Sequence, residues 1–250
     1  MNSNLANYIV QIADNNLILA QRLGELCGHA ATIETDIALT NISLDLFGQV
    51  RSYYQYAASL MGNEASEDSI AFLRTEGEYK NSLLVEQPNT DFAYVITRQF
   101  FYDQFHLLFL KKLQHSSDEN LRAIALKSIK EVTYHVRFSS DWMLRLGDGT
   151  EESHQRVSQA VSDLWTYTNE LVTASEIELE MASQGIGVNP EEFRAEYFTS
   201  LKSVLNEATI PVPEHSYFQK GGKQGIHTEH MGFILTEMQY MQRTYPNMTW

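Results

Sequence analysis

The sequence predicts an all-α protein, for three reasons. Apolar residues recur at intervals of three and four along most of the chain, which is the spacing of a helix face. Strand-like alternation of useful length is missing from the sequence. Four of the helical segments are long, and an extended connection separates the second from the third, which is the plan of a ferritin-like bundle. We therefore predict a ferritin-like four-helix bundle with additional C-terminal helices, as a single domain over residues 1–250.

The longest predicted helix spans residues 31–61, a segment without proline whose only glycine is Gly48. Apolar residues occupy two of its sides, and a helix that is apolar on two sides is expected to be buried between neighbours. One side carries Ile33, Ile37 and Leu44, and the other carries Leu39, Ile42 and Leu46.

Capping residues and breaks delimit the other predicted helices. Asp91 and Asp118 are placed to cap the third and fourth long helices, since a side-chain oxygen at this position accepts a hydrogen bond from the first turn. The sequence predicts the remaining helices over residues 5–26, 67–74, 92–113, 119–146, 153–183, 191–207 and 227–244, with irregular structure over 210–225.

Composition excludes some classes of partner. The 250 residues include 32 acids and 18 bases, so the net charge of −14 argues against nucleic acid or a membrane surface as a partner. An N-terminal secretion signal is not recognisable, and we expect a cytoplasmic protein. The single cysteine, Cys27, is expected to be a small buried residue near a helix end.

A bundle of this plan often binds two irons, with a Glu on each of two helices and a Glu-x-x-His on each of the others. The corresponding frames in this sequence are degenerate. Leu46 and Gln49 stand where Glu and His are expected on the helix 31–61, and Val132 stands before His135 on the helix 119–146. The candidate positions of this degenerate site are Leu46, Gln49, Asp103, His106, Glu131, Val132 and His135.

Two interpretations of these residues remain open. Asp103, His106, Glu131 and His135 could form a mononuclear metal site, or they could form a buried polar network in place of the metals. The apolar Leu46 and Val132 favour the network, and we assign no catalytic and no metal-binding residue.

Two further motifs resemble binding sites only loosely. His227 and His230 share a helix face without a third ligand, and are interpreted as polar groups at a helix start. The segment 220–225, KGGKQG, lacks the spacing of a phosphate-binding loop, and is interpreted as a flexible turn or a docking loop.

Long ordered segments carry a resemblance to a known family. ALTNISLDLFGQVRSYYQYAASL, IKEVTYHVRFSSDWMLRLGDGT and GGKQGIHTEHMGFILTEMQYMQR are among them, and the resemblance covers residues 5–250. In these segments the chain resembles the C-subunit family of the bacterial ring-1,2-phenylacetyl-CoA epoxidase, a multicomponent monooxygenase of aerobic phenylacetate catabolism.

The resemblance implies a structural, non-catalytic component without a cofactor of its own. It implies a catalytic A-subunit as partner, which carries the di-iron centre, and a reductase that acts indirectly; the chain could form a homodimer when the partner is absent. Such components pack through the outer faces of their first long helices, so Tyr53 and Tyr56 are expected at the partner interface. The alternative is an independent iron-dependent oxygenase that uses the degenerate carboxylate and histidine site.

Overall fold

The computed structural model describes residues 2–62, 65–214, 217–246 and 248, and within these ranges it contains helices and no strand. The prediction of an all-α fold of the ferritin-like class is confirmed. Within the same ranges, no helix combines the length and the apolar character that crossing a membrane requires. The chain divides into two compact units, Met1–Gln87 with Gly221–Trp250 and Pro88–Lys220. That the units together form one domain stays a prediction.

The long helices lie close to their predicted positions. Predicted bounds are reproduced for Phe92–Leu113, with Asp91 as its cap. The α-helices are α1 (Asn2–Gly24), α2 (Ile33–Met61), α3 (Glu67–Phe72), α4 (Phe92–Leu113), α5 (Glu119–Gly147), α6 (Glu151–Trp165), α7 (Thr168–Leu171), α8 (Glu176–Ser183), α9 (Arg194–Glu207) and α10 (Glu229–Thr244), with 3₁₀ turns at Glu76–Glu78, Pro190–Phe193 and Gly222–Gln224.

The prediction of one helix over residues 153–183 is wrong, because the chain forms α6, α7 and α8 there. Ser175 begins α8 as its N-cap. The backbone N–H of Ser175 donates to the Glu178 carboxylate over 2.7 Å, and the backbone N–H of Glu178 donates to the Ser175 hydroxyl over 3.3 Å. This reciprocal capping box starts a new helix in the middle of an apolar pattern that otherwise continues.

Helix α1 is the central element of the first unit, and its residues 8–20 are all buried. Three consecutive polar residues lie inside this buried stretch. Asn16 donates its side-chain amide to the side-chain oxygen of Gln49 on α2 over 3.2 Å. The side-chain oxygen of Asn15 accepts from the backbone N–H of Ser82 over 2.8 Å. The remaining residue of the three is Asp14, and its carboxylate is fully buried.

The carboxylate of Asp14 accepts four hydrogen bonds from other segments of the first unit. Its Oδ1 accepts from the Tyr54 hydroxyl and from the Arg74 guanidinium, each over 2.5 Å. Its Oδ2 accepts from Arg74 over 3.0 Å and from the backbone N–H of Lys80 over 2.8 Å. Burial alone would lower the pKa of Arg74, but the nearby Asp14 charge raises it above its usual value. Asp14 therefore joins α1 to α2 and to the segment that follows α3.

The C-terminal segment of the first unit packs against residues 76–87 by close backbone contact. A Cβ on Gly222 would lie 2.2 Å from the carbonyl oxygen of Asn81, and one on Gly225 would lie 2.2 Å from that of Gly77. Only glycine fits at these two positions. Residues 221–225 of the segment 220–225 therefore form a loop that docks on residues 76–87 of the same chain. The predicted irregular structure over 210–225 holds apart from the 3₁₀ turn Gly222–Gln224, and positions 215 and 216 lie outside the described residues.

Three expectations about exposure in the first unit are wrong. Ile33, Ile37 and Leu44 were expected to be buried, but they are 76%, 56% and 61% exposed, because α2 buries the side that carries Leu39, Ile42 and Leu46. Tyr53 belongs to that buried side, with no exposed surface, and is not an outward anchor; Tyr56 is half-buried. Cys27 is exposed, because it lies in the turn between α1 and α2 rather than within a helix.

The second unit has an aromatic core along α4. Phe100, Phe101 and Phe105 are buried there. The Tyr197 hydroxyl of α9 donates to the carbonyl oxygen of Phe101 over 3.1 Å, which fixes α9 against α4. The end of α5 approaches the end of α9 so closely that a Cβ on Gly147 would lie 2.2 Å from the carbonyl oxygen of Ala208.

Replacing Asp14 by Asn is expected to destabilise the chain by about 3–5 kcal/mol, because the variant leaves the largely buried Arg74 without its counter-charge. Urea unfolding of the parent and of Asp14→Asn measures the difference. The matched control is Asp68→Asn, an exposed acid in α3 of the same unit, which is expected to change stability by no more than about 0.5 kcal/mol. Equal losses in the two variants would contradict the central role of Asp14.

Candidate functional site

The seven candidate positions are divided between the two units. Leu46 and Gln49 belong to the first unit, and the other five belong to the second. Leu46 is fully buried, and Gln49 is buried with its side-chain oxygen bonded to Asn16. In the first unit these frames are therefore occupied by a hydrocarbon side chain and by an amide that belongs to the interior of α1 and α2.

In the second unit, α4 and α5 bring together a polar cluster centred on Asp103. The Gln99 amide, one turn earlier on α4, donates to Asp103 Oδ1 over 2.6 Å. The Ser139 hydroxyl of α5 donates to Asp103 Oδ2 over 2.8 Å and also lies 3.0 Å from the carbonyl oxygen of His135. Asp103, His135 and Ser139 have no exposed surface. Both oxygens of the candidate ligand Asp103 are thus bonded to neutral side chains.

The environment of Asp103 works against its charged form. Burial raises the pKa of this carboxyl to about 7, although the nearby His135 and the hydrogen bonds from Ser139 and Gln99 act in the opposite direction. The neighbouring groups do not compensate the loss of hydration. Burial therefore favours the protonated form of Asp103, which is unusual for a carboxyl.

His106 lies one turn beyond Asp103 on α4 and is 1% exposed. Neither nitrogen of its ring has a hydrogen-bond partner in the described part of the chain, and the ring lies 5.2 Å from that of Tyr102. Burial, followed by the proximity of His135, lowers the pKa of His106 to about 3. The imidazole is therefore neutral and packs as part of the aromatic core.

The remaining candidate positions do not complete a metal site. Val132 is fully buried and places a hydrocarbon side chain in the ligand frame, and Glu131 is only half-buried. Across residues 2–62, 65–214, 217–246 and 248, no three His, Cys, Asp or Glu side chains are grouped so that they could hold a metal ion. These residues do not fit a di-iron centre, whose irons need carboxylate and imidazole ligands. That the chain uses no cofactor stays a prediction.

His227 is part of a buried contact within the first unit rather than of a ligand cluster. Its Nδ1 lies 3.2 Å from the Glu86 carboxylate, and its Nε2 lies 3.0 Å from the carbonyl oxygen of Tyr79. Burial acts to lower the pKa of His227, but the hydrogen bond between the imidazole and the Glu86 carboxylate and the charge of Glu86 raise it above its usual value. The backbone N–H of Thr228 also donates to Glu86, so this carboxylate fixes the chain just before α10.

The sequence did not reveal the residues that form hydrogen bonds to the polar side chains at the candidate positions. Gln99 and Ser139 hold Asp103, and Asn16 holds Gln49. A signal for the first was present, since Gln99 precedes Asp103 by four residues and therefore shares its helix face. The pairing of Ser139 with Asp103 and of Asn16 with Gln49 depends on tertiary packing, which helix periodicity does not specify.

Comparison with known proteins identifies a family and a close relative. The family described as phenylacetic acid catabolic protein matches residues 1–250. The chain is similar to the C-subunit of the 1,2-phenylacetyl-CoA epoxidase of Escherichia coli (strain K12), with 48% identity over 246 residues. The alignment covers 98% of this chain and 99% of that protein.

The stability of the parent relative to an Asp103→Asn variant is expected to fall as the pH rises from about 4 to about 7. The carboxyl titrates at 3.8 in its unperturbed state and at about 7 when folded, so the unfolded chain releases its proton first. The loss of stability caused by burying the ionised carboxylate is absent below pH 3.8 and complete above about pH 7. At the higher pH it reaches up to about 4 kcal/mol.

Urea unfolding of both proteins between pH 4 and pH 8 measures this difference. Asn keeps the shape of the side chain but does not titrate. Subtracting the unfolding free energy of the variant from that of the parent therefore removes the contribution of other titrating groups. A difference that stays constant over this range would contradict the assignment of a protonated, buried Asp103.

Proposed function

We infer, from the fact that this chain belongs to the family of phenylacetic acid catabolic proteins, that it serves as the C-subunit of a bacterial 1,2-phenylacetyl-CoA epoxidase. The observation that carries this inference is the 48% identity to the E. coli protein, which extends over nearly the full length of both chains. The chain would then act in aerobic phenylacetate catabolism, in an assembly that converts phenylacetyl-CoA to its ring epoxide.

Within this assembly the chain is a structural component and carries out no chemical step. The composition of the candidate site supports this role. Leu46 and Val132 are hydrocarbon groups in the ligand frames, Gln49 is bonded to Asn16, and Asp103 is bonded to Gln99 and Ser139. Polar groups that remain at the ligand positions are mostly engaged with side chains of their own unit, and a bundle that has lost its metals needs such replacements to avoid unpaired buried groups.

The partner of the chain is the catalytic A-subunit, which holds the di-iron centre, and the reductase acts on that component rather than on this one. The assembly is cytoplasmic. A homodimer of this chain is a possible state when the catalytic subunit is absent. The alternative function, an independent iron-dependent oxygenase, has less support, because Glu131 is only half-buried and Val132 supplies no ligand.

Reconstitution of the epoxidase tests the proposed function. The catalytic subunit and the reductase are assayed for turnover of phenylacetyl-CoA with and without this chain. We expect full activity only when the chain is present, because the chain stabilises the catalytic subunit. We expect no turnover from the chain and the reductase without the catalytic subunit. A catalytic subunit that remains soluble and fully active without the chain would overturn the proposal.

A further inference from the structure

A row of exposed apolar residues follows the outer side of α2. Ile33, Ile37 and Leu44 are 76%, 56% and 61% exposed, and their spacing places them within about 40° of one line along the helix. Thr40 and Phe47, both half-buried, lie on or beside the same line. The resulting intervals of four, three, four and three are those of a helix seam that packs against another helix.

Gly48 lies on the same side of α2, four residues beyond Leu44, and the chain itself does not require a glycine there. A Cβ at this position would have no neighbour within 4 Å in the described part of the chain. Glycine inside a helix is disfavoured relative to alanine, so a glycine that serves no packing is costly to keep. Gly147, by contrast, is required by the adjacent Ala208. A small residue at position 48 is explained by the close approach of a helix from another molecule.

We propose that Ile33, Ile37, Thr40, Leu44 and Gly48, which we call the α2 seam, form the docking surface for an α-helix of the catalytic subunit. The proposal rests on the proposed function, in which the chain works in an assembly with that subunit. The three exposed aliphatic residues pack between side chains of the partner helix, and Gly48 lets the two backbones approach each other. The surface replaces Tyr53, which is buried, as the centre of the interface on α2.

The charges beside the α2 seam define the chemistry of the partner helix. Glu34 and Asp45 flank the seam, each about 100° around the helix from the seam residue before it. The sequence contains no lysine or arginine between Arg22 and Arg51. A second copy of the chain would bring the same acids to the contact, in a protein whose net charge is already −14. Like charges across an interface are unfavourable, whereas a helix with an apolar seam and flanking lysine or arginine residues is complementary. This charge pattern favours a different protein over a homodimer as the occupant.

The α2 seam is the apolar centre of the interface and not its full extent. A stable interface buries about 800 Å² on each partner, which exceeds what one short seam provides. Helix α2 has 29 residues and is about 43 Å long, so it offers a surface of suitable length beyond the seam. Aliphatic anchors at the centre with polar residues around them correspond to the usual arrangement of such contacts.

The test uses the full-length chain with Gly48→Leu, Leu44→Glu and Ala123→Leu as variants. Ala123 is an exposed small residue of α5 and provides the matched control, since the same bulky side chain is added to a helix surface away from the seam. Thermal melts measure each variant alone, and calorimetry measures its binding to the purified catalytic subunit of the same epoxidase. Sedimentation measures self-association of the chain.

We expect Gly48→Leu to melt at the same temperature as the parent or higher, because leucine favours the helix and meets no neighbour. We expect the same variant and Leu44→Glu to bind the catalytic subunit at least tenfold more weakly, while Ala123→Leu binds as the parent does. A lower melting temperature of Gly48→Leu would show that the chain itself needs the glycine, and would overturn the proposal.

Other outcomes separate this proposal from the proposed function. If the parent binds the catalytic subunit and both seam variants bind equally well, the α2 seam is not the docking surface, and the proposed function stands. If the parent does not bind the catalytic subunit at all, the proposed function fails. If Gly48→Leu abolishes only a homodimer of the chain, the occupant is a second copy and the assignment to the catalytic subunit is wrong.

Discussion

The buried carboxylate of Asp14 is the constraint on which the first unit depends. A charge inside the buried stretch of a helix is tolerated only when it is paired and hydrogen-bonded, so α1 can be central only if other segments bring donors to it. Tyr54 of α2, Arg74 and the backbone of Lys80 supply them. These contacts fix α2 along α1 and hold the segment after α3 in place. Residues 221–228 then pack on that segment through the two close glycine contacts and the bond between Glu86 and His227.

The buried polar groups Asp103 and His106 of the second unit have a different environment from that of Asp14, and this difference bears on function. Asp103 is bonded only to neutral donors, which leaves its pKa at about 7, and His106 has no hydrogen-bond partner in the described part of the chain. Such groups lower stability relative to an apolar core of the same shape. Asp103 and His106 are among the positions that the sequence predicts for a degenerate di-iron site, and their presence is understandable if this core descends from one that held metal. The chain would then keep the bundle for its shape and its surface.

The sequence was sufficient for the features that local chemistry determines. Asp91 and Asp118 cap α4 and α5 as predicted. It was insufficient where two local signals compete or where tertiary packing decides. The capping box at Ser175 overrides an apolar pattern that continues through residues 153–183. Helix α2 is apolar on two sides, and periodicity does not specify which side the chain buries; the exposure of Ile33, Ile37 and Leu44 and the burial of Tyr53 follow from that choice. Ser139, which bonds to Asp103 from α5, and the partners of Asp14 lie on other helices or loops, so the spacing along one helix does not reveal them.

The central claim is that this chain is a helical bundle whose ligand frames no longer bind iron, so that its role lies in assembly. The most direct measurement is the iron content and the near-ultraviolet absorption of the purified chain after anaerobic loading with ferrous iron and removal of the excess. The account predicts substoichiometric iron and no absorption band of an oxygen-bridged iron pair, because Leu46 and Val132 supply no ligand and both oxygens of Asp103 are occupied. Two tightly held irons per chain, accompanied by that band, would contradict it.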